Sequence, residues 1–354
     1  MTHKLIALAL PFALALLAGE AAGAVTAEKA ERVAPDRVLV TWSDNDPVDV
    51  FVTDRPDAGV ADAKLVSDDN RTGRFELPAG PTARPYILLR DGGDGRVARV
   101  AERVLPLQQG SNFRDLGGYA AAGGKRVRWG MIFRSGATPM LTGSDLAMIK
   151  ALGLKDLVDL RSSEERSLAP TRIEGVRYTA VGYSMGQLMG PSAPLGDERM
   201  RSAYRQFPTL LAPQLKVLFE ELLAGAGPVA YNCSAGQDRT GFATALVLSA
   251  LGTPRDVIIA DYHLSTTYRR PEFEMPRLDP AAQPANSTGA FFARLQQDGS
   301  YRTPRPLLDS QQHSYLEAAL AEVESRYGSV EAYLDKELGV NAADLAKLRA
   351  MYLE

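Results

Sequence analysis

The chain has 354 residues, of which 45% are hydrophobic, and a formal net charge of −3 at pH 7. This length suggests about two domains, and the mildly acidic balance gives no electrostatic reason to bind nucleic acid or an anionic membrane surface. One cysteine and three histidines cannot build a Cys/His zinc site, and no carboxylate spacing indicates another metal, so we expect no metal and no cofactor.

Residues 1–24 have the pattern of a signal peptide. Lys4 precedes an apolar run over residues 5–17, and the small residues 22–24 fit a cleavage site. The run is too short to span a bilayer comfortably, although an uncleaved anchor is the alternative. We therefore expect a periplasmic or secreted protein without a permanent membrane span. There, a lone cysteine has no intramolecular disulfide partner.

Residues 25–107 alternate apolar and polar side chains in short runs, which predicts an all-β sandwich. The predicted strands lie near residues 38–42, 48–52, 75–77, 86–89 and 97–104, with turn clusters at 44–47, 54–57, 68–70 and 91–95. The segment resembles a fibronectin type III or immunoglobulin-like module. It carries no catalytic constellation, so it either binds an unknown partner or is passive. Residues 108–111 are predicted as a linker.

The second predicted domain, residues 108–354, alternates strands and helices. Residues 127–133 predict a strand, Thr142 can cap a helix that ends at Gly153, and residues 157–160 predict a buried strand. Strand, helix and strand in this order predict an α/β fold, in which helices flank a central sheet.

Residues 183–207 are rich in Gly, Met, Ser and Pro, which predicts a long irregular segment. Near a site, such a segment is either a lid or a plain surface loop. Helical patterns return at residues 214–223, 258–264, 314–327 and 329–338, and again after Asn341. The proline-rich residues 269–284 are predicted as a loop.

One stretch combines a nucleophile with an anion site. A buried strand is predicted at residues 228–231 and a buried helix at residues 242–251. Cys233 opens the turn between them and Arg239 closes it. The first N–H groups of a helix are unpaired and favour anions, and such an environment lowers a thiol pKa. Because an arginine fork matches two phosphate oxygens, this turn is suited to attack on phosphorus.

Together with three upstream motifs, the turn resembles a known family. The chain contains Cys-x5-Arg-Thr-Gly with Asp238 inside it, Asn-Phe-Arg-Asp-Leu-Gly-Gly-Tyr at 112–119, Phe-Arg-Ser-Gly at 133–136 and Asp-Leu-Arg-Ser at 159–162. From about Gly110 onward it resembles the bacterial tyrosine phosphatases related to the secreted mycobacterial tyrosine/lipid phosphatase, which are cysteine-dependent. The resemblance implies an α/β phosphatase domain with its Cys-x5-Arg loop between a strand and a helix.

The proposed roles follow from the loop chemistry. Cys233 is expected to be the nucleophile that forms a cysteinyl-phosphate, and Arg239 to stabilise the transition state. Gly236 would permit a strained turn, and Thr240 could hydrogen-bond the thiolate. Phosphate is expected to bind the loop residues Ser234, Ala235, Gly236, Gln237, Asp238, Arg239 and Thr240.

Leaving-group departure needs a proton, and two aspartates are candidates for the general acid. The family resembled offers one inside the loop, Asp238, and one at the strand end, Asp159. Asp238 is preferred because it lies inside the loop. The alternative for either is a structural carboxylate that holds an arginine such as Arg161 or Arg114.

Three upstream residues, Arg114, Asp115 and Arg134, are interpreted as scaffold or rim, with a secondary role for the two arginines in attracting anions. Two loop positions depart from the family. Asn232 stands where most members have His, so the thiol pKa would be lowered less than usual. Gln237 stands where many have Lys, which removes a cation and favours phosphotyrosine-like monoesters over inositol phospholipids.

The predicted substrate is therefore a phosphorylated protein, hydrolysed at phosphotyrosine. Three alternatives remain open: a phosphoinositide phosphatase acting on lipid, a phosphate-binding pseudophosphatase weakened by Asn232, and a secreted cysteine phytase. The last is disfavoured because that family resemblance favours Gly where Asp238 stands.

Overall fold

The computed structural model describes residues 25–188, 196–285, 287–299 and 302–354. The predicted signal peptide, residues 1–24, lies outside the described residues. Across the described ranges, none of the helices has both the length and the apolar character needed to cross a membrane.

Seven antiparallel strands form the N-terminal part: β1 (Thr26–Ala34), β2 (Arg37–Ser43), β3 (Val48–Thr53), β4 (Lys64–Asn70), β5 (Arg74–Pro78), β6 (Tyr86–Asp91) and β7 (Val97–Ala101). They build one sheet of order β1-β2-β5 and another of order β4-β3-β6-β7. Both sheets contribute to one hydrophobic core, for example through Val40 of β2 and Leu89 of β6. All five predicted strands are present. The sequence did not predict β1 and β4 because both are edge strands with mostly exposed polar side chains.

Five strands form the sheet of the α/β part: β8 (Arg114–Asp115), β9 (Ile132–Ser135), β10 (Asp156–Asp159), β11 (Arg177–Thr179) and β12 (Val229–Asn232). Their order is β11-β10-β12-β9-β8. All neighbours pair in parallel except β8 and β9, which are antiparallel. Strands β10, β12 and β9 are buried along their whole length, as in a parallel sheet that is covered on both faces.

Helices surround this sheet, as the predicted α/β class requires. They are α1 (Gly143–Ala151), α2 (Ser163–Leu168), α3 (Met185–Leu188), α4 (Asp197–Leu210), α5 (Ala212–Ala224), α6 (Asp238–Ala250), α7 (Arg255–Tyr268), α8 (Thr288–Asp298), α9 (Tyr315–Tyr327), α10 (Val330–Leu338) and α11 (Ala342–Tyr352). The predicted caps are present: Thr142 forms a capping box at α1 and Asn341 forms one at α11. Almost every side chain of α6 is buried, so this helix is the centre of the α/β core.

Two predicted elements of the α/β part are corrected. The strand at 127–133 is wrong for most of its length, because Gly130 has a φ of 79° and only β9 is extended. The segment 183–207 is not wholly irregular, since α4 begins at Asp197 and buries Tyr204 completely. Residues 189–195 of that segment lie outside the described residues. Helix α8 was not predicted.

Residues 108–111 are held in place rather than forming a free linker. The carboxylate of Asp145 accepts hydrogen bonds from the backbone of Gln108 at 2.6 Å and Gln109 at 3.0 Å. Close by, Arg84 of the N-terminal part donates to Asp115 of β8 at 2.7 Å in a buried ion pair. The N-terminal sheets are therefore joined to the α/β part by fixed, buried contacts.

Candidate active site

The loop with Cys233 lies at the centre of the second sheet. Strand β12, which runs between β10 and β9, ends at Asn232, and α6 begins at Asp238. Ligand sites of open α/β sheets form at the carboxyl ends of the strands. Here a cavity of about 180 Å³ is lined by five loop residues, which are Cys233, Ser234, Ala235, Asp238 and Arg239.

The turn leaves its N–H donors open. Helix α6 has no side-chain cap, and none of the backbone N–H groups of residues 234–237 donates a hydrogen bond within the described part of the chain. Gly236 has a φ of 64°, and a Cβ there would lie 2.4 Å from the backbone of Ser135. Only glycine fits this close approach, which shapes the open turn as an anion cradle.

The loop carbonyls are held by residues of the upstream motif. Asn112 donates to the carbonyl oxygens of Ala235 at 3.1 Å and Gly236 at 2.8 Å. Arg134 also donates to the carbonyl of Gly236, at 2.7 Å. These bonds hold the Cys233 loop against Asn112 and against Arg134 of β9, so the motifs at 112–119 and 133–136 both contact the loop.

A buried ionic cluster supports that contact. Asp261 of α7 accepts from Arg114 at 3.0 Å and from Arg134 at 2.5 Å. Burial tends to raise the pKa of Asp261, but the charges of Arg114 and Arg134 outweigh it and hold the pKa well below the usual range. Both arginines are fully buried and paired with Asp261, which favours the scaffold interpretation, while their role in attracting anions stays a prediction. Asp115 is paired with Arg84 in a buried ion pair, which is consistent with the scaffold interpretation.

A carboxylate that the sequence analysis missed orients Arg239. Both oxygens of Glu165 accept from the guanidinium, at 2.6 and 2.7 Å, and Oε1 also accepts from Ser234 at 2.6 Å. Burial acts to raise the pKa of Glu165, but the charge and hydrogen bonds of Arg239 lower it to about 2. Tyr183 accepts a further bond from Arg239, at 2.6 Å. The capping box of Ser162 with Glu165 would have located the start of α2, but not this role.

Asp238 lines the cavity and is held by a tyrosine pair. The hydroxyl of Tyr204 donates to Asp238 at 2.5 Å and lies 2.6 Å from the hydroxyl of Tyr262. Burial and the charge of Asp238 raise the pKa of Tyr204 well above its usual value, so this hydroxyl stays protonated. The carboxylate is therefore fixed beside Cys233.

Asp159 is placed differently. It is fully buried and is not among the residues that line the cavity. Arg161 donates to both of its oxygens, the hydroxyl of Tyr178 donates at 2.8 Å, and the amide of Asn232 lies at 3.5 Å. With its acceptor sites occupied, Asp159 fits the structural alternative better than the general-acid prediction. Asn232 and Arg161 take part in the same structural contact.

Two further loop residues differ from expectation. The buried hydroxyl of Thr240 makes no hydrogen bond within the described part of the chain, so the predicted bond to the thiolate is not formed. Gln237 accepts from Arg269 at 2.7 Å, and Arg269 is paired with Glu274 at 2.8 Å. Arg269 also lines the cavity and brings a cation to a loop that lacks the family's usual lysine. It lies 32 residues beyond Gln237, in the segment predicted only as a loop.

Besides the polar residues Glu165, Arg269, Glu274 and Gln296, the remaining walls of the cavity are apolar. They come from α3, from the turn after α7 and from α8, and consist of Met185, Pro271, Met275, Phe292 and Leu295. An apolar wall next to a phosphate cradle suits a phosphate ester with an aryl or alkyl group.

Residues 105–354 match a family model described as the tyrosine phosphatase family. A Cupriavidus necator protein, provisionally named a tyrosine-protein phosphatase, is 34% identical over 255 residues, which is 69% of this chain and 86% of that protein. The triple specificity protein phosphatase PtpB of Mycobacterium tuberculosis is 31% identical over 292 residues, covering 72% of this chain and 100% of PtpB. A tyrosine-protein phosphatase of Nostoc commune is 31% identical over 219 residues, covering 59% of this chain and 69% of that protein.

Proposed function

Because the chain belongs to the tyrosine phosphatase family, we propose that it hydrolyses phosphotyrosine through a cysteinyl-phosphate intermediate on Cys233. The observation that carries this proposal is the single cavity in which Cys233, Asp238 and Arg239 meet. A nucleophile, a general acid and a phosphate-binding arginine are all present there, which favours turnover over phosphate binding alone.

In the first step, the Cys233 thiolate attacks phosphorus and forms the S–P bond. The P–O bond to the leaving group breaks, and the carboxylic acid of Asp238 gives its proton to the departing oxygen. Arg239 and the open N–H groups of residues 234–237 stabilise the equatorial oxygens. Glu165 contributes by fixing the arginine fork before substrate arrives.

In the second step, water attacks the cysteinyl-phosphate. Asp238, now a carboxylate, accepts a proton from that water. The S–P bond breaks, inorganic phosphate leaves and the thiolate is restored, so the cycle closes without a metal or a redox partner.

The apolar walls favour an aromatic ester. Phe292 and Met275 lie beside the cradle, where the ring of a phosphotyrosine would enter. We expect a phosphotyrosine peptide to be hydrolysed with a much higher kcat/KM than the same peptide with phosphoserine. Phosphoserine has a shorter side chain and no aromatic ring to pack against these walls. Equal values for both peptides would contradict the substrate assignment.

A second candidate substrate, an inositol phospholipid, is favoured by one observation. Arg269, in an ion pair with Glu274, places a guanidinium at the cavity beside Gln237, where it could meet a further phosphate. The test compares phosphoinositides in mixed micelles with the peptide, for the natural protein and for Arg269→Gln. A lipid rate far above the peptide rate that falls selectively in the variant would replace phosphotyrosine as the substrate.

The proposal extends to the segments that precede the phosphatase domain. Residues 1–24 are proposed as a cleaved signal peptide and the mature protein as periplasmic or secreted, to be tested by fractionation and by the mass of the mature N-terminus. Residues 25–107 are proposed as a fibronectin- or immunoglobulin-like β-sandwich that precedes the phosphatase domain, residues 108–354. The shared core of the two antiparallel sheets supports that assignment.

A further inference from the structure

Two turns that are far apart in sequence meet at one end of the N-terminal sheets. Residues 44–47 join β2 to β3, and the turn after Asp91 joins β6 to β7. Strands β3 and β6 are antiparallel with Val48 opposite Asp91, so the start of one strand lies beside the end of the other. The backbone N–H of Gly92 donates to the carbonyl of Pro47 at 2.8 Å and ties the turns together.

This contact gathers three carboxylates. One oxygen each from Asp44, Asp46 and Asp91 lies within 4.8 Å of the others. Two oxygens bound to one calcium ion at about 2.4 Å are at most about 4.8 Å apart, so each pair in the cluster is close enough to be bridged by one ion. A Cβ on Gly93 would lie 2.4 Å from Oδ2 of Asp46, so glycine is what lets that carboxylate approach the second turn.

Backbone donors reach only one oxygen each of Asp44 and Asp91: the N–H of Asp46 donates to Oδ1 of Asp44 at 3.0 Å, and the N–H groups of Gly93 and Asp94 donate to Oδ1 of Asp91 at 2.6 and 3.4 Å. Asp91 is only 1% exposed, and its Oδ2 and the buried Oδ2 of Asp44 have no hydrogen-bond partner among the described residues. The neighbouring acids are paired: Asp49 with Arg90 and Asp94 with Arg96. The two buried oxygens without donors are costly, and the three carboxylates repel one another at this distance. A bound cation removes both costs.

We propose that Asp44, Asp46 and Asp91 form a calcium site that fastens these two turns. Calcium is favoured because the donors are all oxygen and because its coordination of six to eight tolerates irregular turns, with carbonyls and water completing the shell. Magnesium demands a near-octahedral set and would bind more weakly. None of the three aspartates lines the cavity at Cys233, so the ion acts on the stability of the N-terminal sheets and not on phosphate transfer.

The test is calorimetric titration of the chelator-treated protein with calcium chloride, together with thermal unfolding in calcium and in chelator. We expect one site with a dissociation constant of about 0.1–1 mM, the range of extracellular calcium modules, and a higher melting temperature in calcium. Asp46→Asn should weaken binding by about tenfold or more. Asp94→Asn, on the turn after Asp91 but paired with Arg96, is the matched control and should bind as the natural protein does.

The behaviour in chelator separates a metal ligand from a structural residue. Without calcium, Asp46→Asn should melt at the same temperature as the natural protein or above it, because one repelling charge is gone. Hydrolysis of p-nitrophenyl phosphate should be unchanged in both variants, which verifies that they fold. Absence of calcium binding at concentrations up to about 10 mM, which is well above the dissociation constants of extracellular calcium modules, would overturn the proposal. Equal affinity in Asp46→Asn, or a variant that melts lower in chelator, would also overturn it.

Discussion

The guanidinium of Arg239 donates to both carboxylate oxygens of Glu165, over 2.6 and 2.7 Å. In the proposed mechanism Arg239 binds the phosphate, so Glu165 would be a positioning residue for the transition state. Glu165→Gln keeps the shape but loses one accepting oxygen and the charge. A charged hydrogen bond contributes about 1.5–3 kcal/mol, so kcat/KM should fall about 10- to 100-fold. The exposed Glu220→Gln is the control, and an equal loss there would refute the assignment.

The same ion pair predicts how stability depends on pH. The pKa of Glu165 is lowered to about 2 from an ordinary value of 4.5, so its contribution is complete above about pH 4.5 and is lost as the pH falls towards 2. The full contribution is on the order of 3 kcal/mol. Urea unfolding at pH 5.5 and at pH 3 should show the natural protein losing more stability than Glu165→Gln. Equal losses of unfolding free energy in both proteins would show that the ion pair of Arg239 and Glu165 contributes less than this.

The two candidate acids can be separated by the leaving group. Asp238→Asn should lower kcat for phosphotyrosine by about 10²- to 10⁴-fold, with a smaller loss for p-nitrophenyl phosphate, whose leaving group needs no proton. Asp159→Asn should instead destabilise the fold by about 3–5 kcal/mol, because Arg161 would keep a buried charge without its full partner. The assignment fails if the dependence on leaving group appears in Asp159→Asn and not in Asp238→Asn.

The tyrosine pair should act on catalysis through Asp238. Tyr204→Phe removes the hydroxyl that donates to the carboxylate, whereas Tyr262→Phe removes only the second hydroxyl in the chain. We expect kcat to fall in Tyr204→Phe with KM little changed, and a smaller effect in Tyr262→Phe. A purely structural role would lower thermal stability in both variants and leave kcat per folded molecule intact.

The part of the site that sequence could predict is the part that is local in sequence. Cys233 and Arg239 belong to one turn, and their spacing alone implies a phosphate cradle. Glu165 and Arg269 reach the same cavity from distant segments, and neither differs in sequence from an ordinary helix or loop residue. The choice between Asp159 and Asp238 also required burial and partners, which a sequence does not contain.

In the fold, too, the elements that sequence could predict are those whose signals are local in sequence. The apolar strands β2, β3 and β6 and the capped helices α1 and α11 were predicted because their signals are local. Helix α4 was missed because residues 184–196 dominate the composition of that segment, while the helix is stabilised by burying Tyr204 and Phe207. The three aspartates at the paired turns were predicted only as turn residues, since the strand register that brings them together is not local.

The central claim is that Cys233 is the nucleophile of a metal-independent phosphatase. The direct measurement is phosphate release from p-nitrophenyl phosphate and a phosphotyrosine peptide, in the presence of a chelator, by the natural protein and by Cys233→Ser. Turnover should persist in chelator for the natural protein and vanish in the variant, which should still bind vanadate. Activity that survives in Cys233→Ser, or that needs added metal, would contradict the account. No turnover by the natural protein, with vanadate still bound, would identify a phosphate-binding pseudophosphatase instead.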